Sequence, residues 1–219
     1  LVMVEISTKY KIGSRRFGYI NWIGAWTFYK KEVLRFLVVW IQTIFSPIIT
    51  SLLFLSVLTL AIGDDRGEVL GVTFINFLAP GLIAMQVIQQ AFSHSASSFM
   101  IKKIDGSIVD VLYTPLSAAE ITLAVIFSAV TRSLIIAFIS IIVFYFVVDV
   151  RVTNYTILIA FTFLSSFILG STGMIAGLWA EKFDHMATVT NFIIIPLSFL
   201  SGTFYTIEKL PHFLQIISK

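Results

Sequence analysis

Cysteine is absent from this chain of 219 residues, which excludes disulfides, thiol nucleophiles and thiolate metal sites. Charge is scarce: Asp, Glu, Lys and Arg make up 12% of the residues, where an ordinary soluble domain carries about 25%. No glycine begins a Gly-x-x-x-x-Gly-Lys-[Ser/Thr] loop, so ATP is not held here by that device. The histidines His94, His185 and His212 stand far apart, with no second ligand at helical spacing, which argues against zinc. No residue is therefore assigned a catalytic, cofactor-binding or metal-ligating role.

What the chain has is hydrocarbon. It is 58% hydrophobic with a mean hydropathy of +0.95, which rules out a soluble enzyme. About 20 apolar residues are needed to cross some 30 Å of hydrocarbon as a helix. Five runs reach or approach that length: 36–62, 74–98, 121–148, 155–179 and 186–205. They are apolar on all sides, whereas a spanning β-barrel requires short segments of period two. The fold class expected is all-α, a polytopic helical membrane protein with five spans. The mixed residues before the first run do not form a signal peptide pattern, so no processing is expected.

Lys and Arg set the orientation, because cytoplasmic flanks collect them. With the amino end inside, ten lie on cytoplasmic flanks (Lys9, Lys11, Arg15, Arg16, Lys30, Lys31, Arg35, Lys102, Lys103 and Lys182) and four outside (Arg66, Arg151, Lys209 and Lys219). The amino terminus is thus expected in the cytoplasm. Its basic residues suit anionic lipid headgroups better than nucleic acid. Within residues 15–34, Trp22, Trp26, Tyr29 and Val33 recur at helical spacing, as in a helix lying flat in the interface. The division expected is a cytoplasmic segment 1–35 with this interfacial helix, then a membrane domain 36–219.

No Asp or Glu falls inside the five runs. Arg132 is the strongly ionisable residue well inside one, and it either snorkels to the headgroups or faces a polar cavity. Gln86, Gln90, Ser93 and Ser97 share one face of the second run, either lining a path or bonding neighbouring helices. Gly170, Gly173 and Gly177 mark close helix packing in the fourth. Pro47, Pro80 and Pro196 lie inside three runs, where each removes a backbone donor and is expected to kink its helix. In the segment 102–117, Ile104, Ile108, Val111 and Leu112 can form an apolar stripe while Asp105, Asp110 and the lysines stay wet, and Pro115 ends it before the third run. Such an amphipathic segment is what a cytosolic partner could grip.

Four stretches resemble the permease subunits of bacterial type 2 ABC exporters. They are Tyr29-Lys30-Lys31-Glu32 to Arg35, Phe77-Leu78-Ala79-Pro80-Gly81-Leu82, Asp105-Gly106 through Thr114-Pro115-Leu116-Ser117, and Pro196 to Tyr205 followed by Glu208-Lys209-Leu210-Pro211. The last is the most specific. The resemblance implies a permease homodimer or heterodimer in the plasma (inner) membrane, paired with cytosolic ABC ATPase subunits that bind the ATP. It also implies that their motion is transmitted by the amino-terminal interfacial helix and by the loop between the second and third runs, through Asp105, Gly106, Asp110, Leu112, Tyr113 and Pro115. Gly202, Glu208 and Pro211 would belong to an outer re-entrant element, and a sixth span usual in the family would follow it. Leu1 is not Met, so the chain is expected to be a fragment at one or both ends; Thr206 stands where proline is common in relatives. The leading function is export of a lipid-, glycan- or drug-like substrate. An ion-coupled carrier is disfavoured by the missing membrane carboxylates, and a non-transporting membrane scaffold is the other alternative.

Overall fold

The computed structural model describes residues 18, 20–62, 68–69, 72–148 and 154–200. Asn21 begins the first helix, α1 (Trp22–Val38), by accepting the Gly24 backbone N–H on its side chain at 2.9 Å, the usual N-cap bond. The expected tryptophans do form an outward face, with Trp22 73% exposed. The inward face, about a quarter-turn round the helix, carries Phe28, Glu32 and Phe36, whose spacing of four aligns them. The helix continues past residue 35 and breaks at Val39 (φ −109°, ψ 38°).

A π-turn, Ile41–Phe45, then leads into α2, Ser46–Ile62. A second π-turn, Thr190–Ile194, separates α7 (Phe183–Val189) from α8 (Ile195–Leu200). Each π-turn ends two residues before a proline, Pro47 or Pro196. Proline has no N–H to return to the carbonyl four residues back, and a widened turn accommodates that loss. Pro80 behaves differently: it lies inside α3 (Phe74–Ile104), which is assigned as one continuous helix.

Two two-residue strands, β1 (Glu68–Val69) and β2 (Val72–Thr73), pair antiparallel between α2 and α3. The short α4 (Ile108–Leu112) follows α3, then α5 (Ala118–Val148) and α6 (Tyr155–Trp179). Asn154 caps α6 by accepting from Thr156 and Ile157 at 3.0 and 3.2 Å. Among the described residues, four helical stretches are long and apolar enough to cross a membrane: Ile41–Leu60, Phe74–Ile104, Ala118–Val148 and Tyr155–Trp179. The chain is thus an all-α polytopic membrane protein. The first span starts at the π-turn, not at residue 36. The fifth run is helical from Phe183 and broken by its π-turn, and its expected remainder, 201–205, lies outside the described residues.

Helix α3 is the hub, packed most extensively on α6 and α5. The approach to α6 depends on missing side chains. A Cβ at Gly173 would strike the Phe92 carbonyl and come within 3.0 Å of its Cα, and one at Gly177 would do the same at Ala96. Gly170 is less constrained, since its Cβ would meet Ala129 at an ordinary 3.5 Å. At the end nearer β2, Leu55, Leu78, Leu82, Ala137 and Phe144 form an apolar core. At the α4 end, Phe28, Phe99, Val111, Ile121 and Val125 form another, which α1 covers.

Candidate functional site

Polar groups gather in two buried clusters. The first is built on the inward face of α1, which carries Glu32, only 1% exposed, against α3. Lys102 Nζ bonds one carboxylate oxygen of Glu32. The other accepts the Ser98 hydroxyl at 2.8 Å and Arg35 Nε at 3.1 Å. The Phe28 and Phe99 rings flank the Lys102 ammonium at 5.1 and 5.5 Å, within cation–π range. Burial by itself would raise the Glu32 carboxyl. The Arg35 and Lys102 charges, with the hydrogen bonds from Lys102 and Ser98, outweigh it and hold the pKa below the usual carboxylate value. Lys102 is therefore not the wet lysine expected from the amphipathic pattern: a buried carboxylate draws it inward.

The same helix is fastened at its start to the beginning of α5. The Asn21 backbone N–H donates to Glu120 Oε1 at 2.6 Å, and its side-chain amide donates to the Pro115 carbonyl at 3.3 Å. Glu120 and Ser117 form a reciprocal capping box, with bonds of 2.6 and 3.3 Å. Tyr29 and Thr131 share a further 2.8 Å bond. Thus α1 grips both ends of the segment that carries α4.

In that segment Gly106 turns the chain with φ 74°, a left-handed conformation that suits glycine. Val111 is buried beneath α4 and Ile108 half-buried. Leu112 and Ile104, expected in the same stripe, are exposed. Leu112 stands about 100° round the helix from Val111, and the Gly106 turn breaks the phase with Ile104. The surface so formed presents Asp105, Gly106, Asp110, Leu112, Tyr113 and Pro115, with Leu112 74% and Tyr113 85% exposed.

The second cluster surrounds Arg132, which points inward and is 9% exposed, so it does not snorkel. It donates through Nη2 to Gln90 Oε1 and, at 3.5 Å, to the Thr43 carbonyl. That carbonyl is the one Pro47, four residues on, cannot serve. Nη1 lies 3.5 Å from His94 Nδ1, and the guanidinium sits 6.0 Å from the Phe36 ring. His94 Nε2 in turn shares a 2.8 Å bond with Ser128. Arg132, Gln90 and His94 border a cavity of about 890 Å³ lined also by Gln86, Ser93 and Ser97. Gln86 is committed to packing as well, donating to Ser51 and to the Pro47 carbonyl and accepting from Ser140 at 3.2 Å.

Gly202, Glu208 and Pro211 lie outside the described residues, and among the described residues no cluster of potential metal ligands occurs. Glu32, Asn21 and Glu120 went unassigned from sequence. The signals were present in the Phe28–Glu32–Phe36 spacing and in Ser117-x-x-Glu120.

The family described as ABC-2 type transporter matches residues 23–219. The chain belongs to the ABC-2 type transporter family. It is 30% identical over 200 residues to the inner membrane transport permease YadH of Escherichia coli K12, covering 91% of this chain and 78% of that protein. Nodulation protein J of Rhizobium leguminosarum bv. trifolii is 23% identical over 210 residues, 92% of this chain and 76% of that protein. No solved structure matches the chain significantly. Membership makes it a multi-pass transport permease of the inner-membrane type, and ABC-2 permeases imply an ABC ATPase partner.

Proposed function

We propose that the chain is the membrane-spanning permease subunit of an ATP-driven exporter, with ATP bound and hydrolysed by a separate cytosolic subunit. The amino terminus and α4 face the cytoplasm, and two permease chains, identical or related, form the translocation unit. The lipid-, glycan- or drug-like substrate passes beside the face of α3 that bears Gln86, Gln90, Ser93 and Ser97. The observation that carries this reading is the mounting of α4. Leu112 and Tyr113 are exposed on a segment pinned at both ends by α1, through Lys102–Glu32 and Asn21–Glu120. A force applied to α4 is therefore delivered to α1, α3 and α5 together. Helix packing by Gly173 and Gly177 against α3 makes α6 follow.

The test is co-expression with the cognate ATPase. The expected outcome is a stable complex that hydrolyses ATP and drives flux in proteoliposomes, while the isolated chain hydrolyses none. ATP hydrolysis by the chain alone, or flux driven by an ion gradient without ATP, contradicts the proposal.

A further inference from the structure

Arg35, Lys102 and Arg132 converge on the region around His94 and Ser98. Arg35 Nη2 donates to the His94 carbonyl at 3.2 Å, and Arg132 Nη1 approaches the His94 ring at 3.5 Å. Glu32 answers Arg35 and Lys102 together. Three cations against one carboxylate leave a formal excess of two positive charges, with His94 counted as neutral. Among the described residues, no Asp or Glu lines the cavity that Arg35 and Arg132 border. Arg132 Nε is enclosed without an acceptor, so among the described residues one N–H of this guanidinium is left unserved and the partners of the others are all uncharged. A buried charge without a counter-charge is costly, which makes an incoming anion favourable.

We propose that this cavity binds the anionic head of an amphiphilic cargo, a phosphate or carboxylate, with Arg132 as its principal contact. The inference rests on the export reading and narrows its substrate class. The head takes the guanidinium, and the amides and hydroxyls of Gln90, Ser93 and Ser97 offer neutral hydrogen bonds beside it. The apolar part of the ligand has Phe36, Leu82 and Met85 among the residues that line the cavity. Arg35 borders the cavity and also holds Glu32, so an anion there competes for a charge that fastens α1.

The test needs no ATP and so is separate from that of export. The purified full chain in a non-ionic detergent is titrated with dodecyl phosphate, inorganic phosphate or dodecyltrimethylammonium, following binding and the unfolding midpoint. Dodecyl phosphate is expected to bind and to raise the midpoint. Arg132→Gln should weaken its binding by at least about tenfold, as when one partner of a buried charge pair is truncated, and Arg132→Lys should recover part of the loss. Gln90→Glu places a carboxylate beside Arg132 and should abolish dodecyl phosphate binding while the unliganded chain stays folded. Unchanged dodecyl phosphate affinity in Gln90→Glu and Arg132→Gln overturns the proposal. Equal affinity for inorganic phosphate overturns the amphiphile assignment, and tighter binding of dodecyltrimethylammonium overturns the sign.

Discussion

Glu32 and Arg132 are both buried ionisable groups in a chain poor in charge, yet their surroundings differ in kind. Glu32 is enclosed by Lys102, Ser98 and Arg35, and the cluster joins two helices. Among the described residues Arg132 has an amide, a carbonyl and a histidine ring, but no carboxylate, and it stands at the edge of a large cavity. The first arrangement is that of a fastening, the second that of a group waiting for a partner. Burial of charge alone does not separate structural from functional residues here; compensation does.

The largest expected effect breaks the fastening. Glu32→Ala leaves Lys102 and Arg35 without their counter-charge and should destabilise the chain by about 3–5 kcal/mol, read from the unfolding midpoint in detergent. Next, Gly173→Ala tests whether α6 is seated as tightly as the Phe92 carbonyl implies. Overpacking should cost about 1–3 kcal/mol, and Gly170→Ala, with room for a methyl, should cost less. Acid probes the fastening without mutation. Because the Glu32 carboxyl is held below its unfolded value of 4.5, the pair's stabilisation is fully present above that pH. It is lost as pH falls through the lower folded value. Glu32→Gln should remove this acid dependence in unfolding measured across pH. The smallest effect sharpens the contrast: Arg132→Met removes a charge that no carboxylate among the described residues compensates and leaves only the neutral acceptors on Gln90 and Thr43 without a donor, so stability should change by about 1 kcal/mol. A loss as large as that of Glu32→Ala would erase the distinction between the clusters.

The spans were legible because hydrocarbon thickness fixes a length that apolar runs either reach or miss. Gly173 and Gly177 were legible as packing residues for a similar reason, since small side chains at helical spacing have few other uses in lipid. The inward face of α1 was not, because the tryptophans gave the louder periodicity and Glu32 looked like one more charge in a basic segment. Its partner Lys102 lies 70 positions away, and pairing at that distance leaves no local trace. The π-turns escaped for a different reason: three prolines lie inside apolar runs, and nothing in the local sequence separates the two that follow a widened turn from Pro80, which does not. Arg132 was recognised, but its direction depended on Gln90 and on a carbonyl freed by Pro47.

The absence of cysteine makes a direct test of the docked motor straightforward. Leu112→Cys introduces the sole thiol of the chain on the exposed side of α4, and cross-linking to a thiol on the co-expressed ATPase subunit reports their contact in native membranes. The account predicts a specific cross-link whose yield changes when nucleotide is bound. Labelling of that thiol only from the outer face of the membrane, or no cross-link in a preparation where the two subunits purify together, would contradict it.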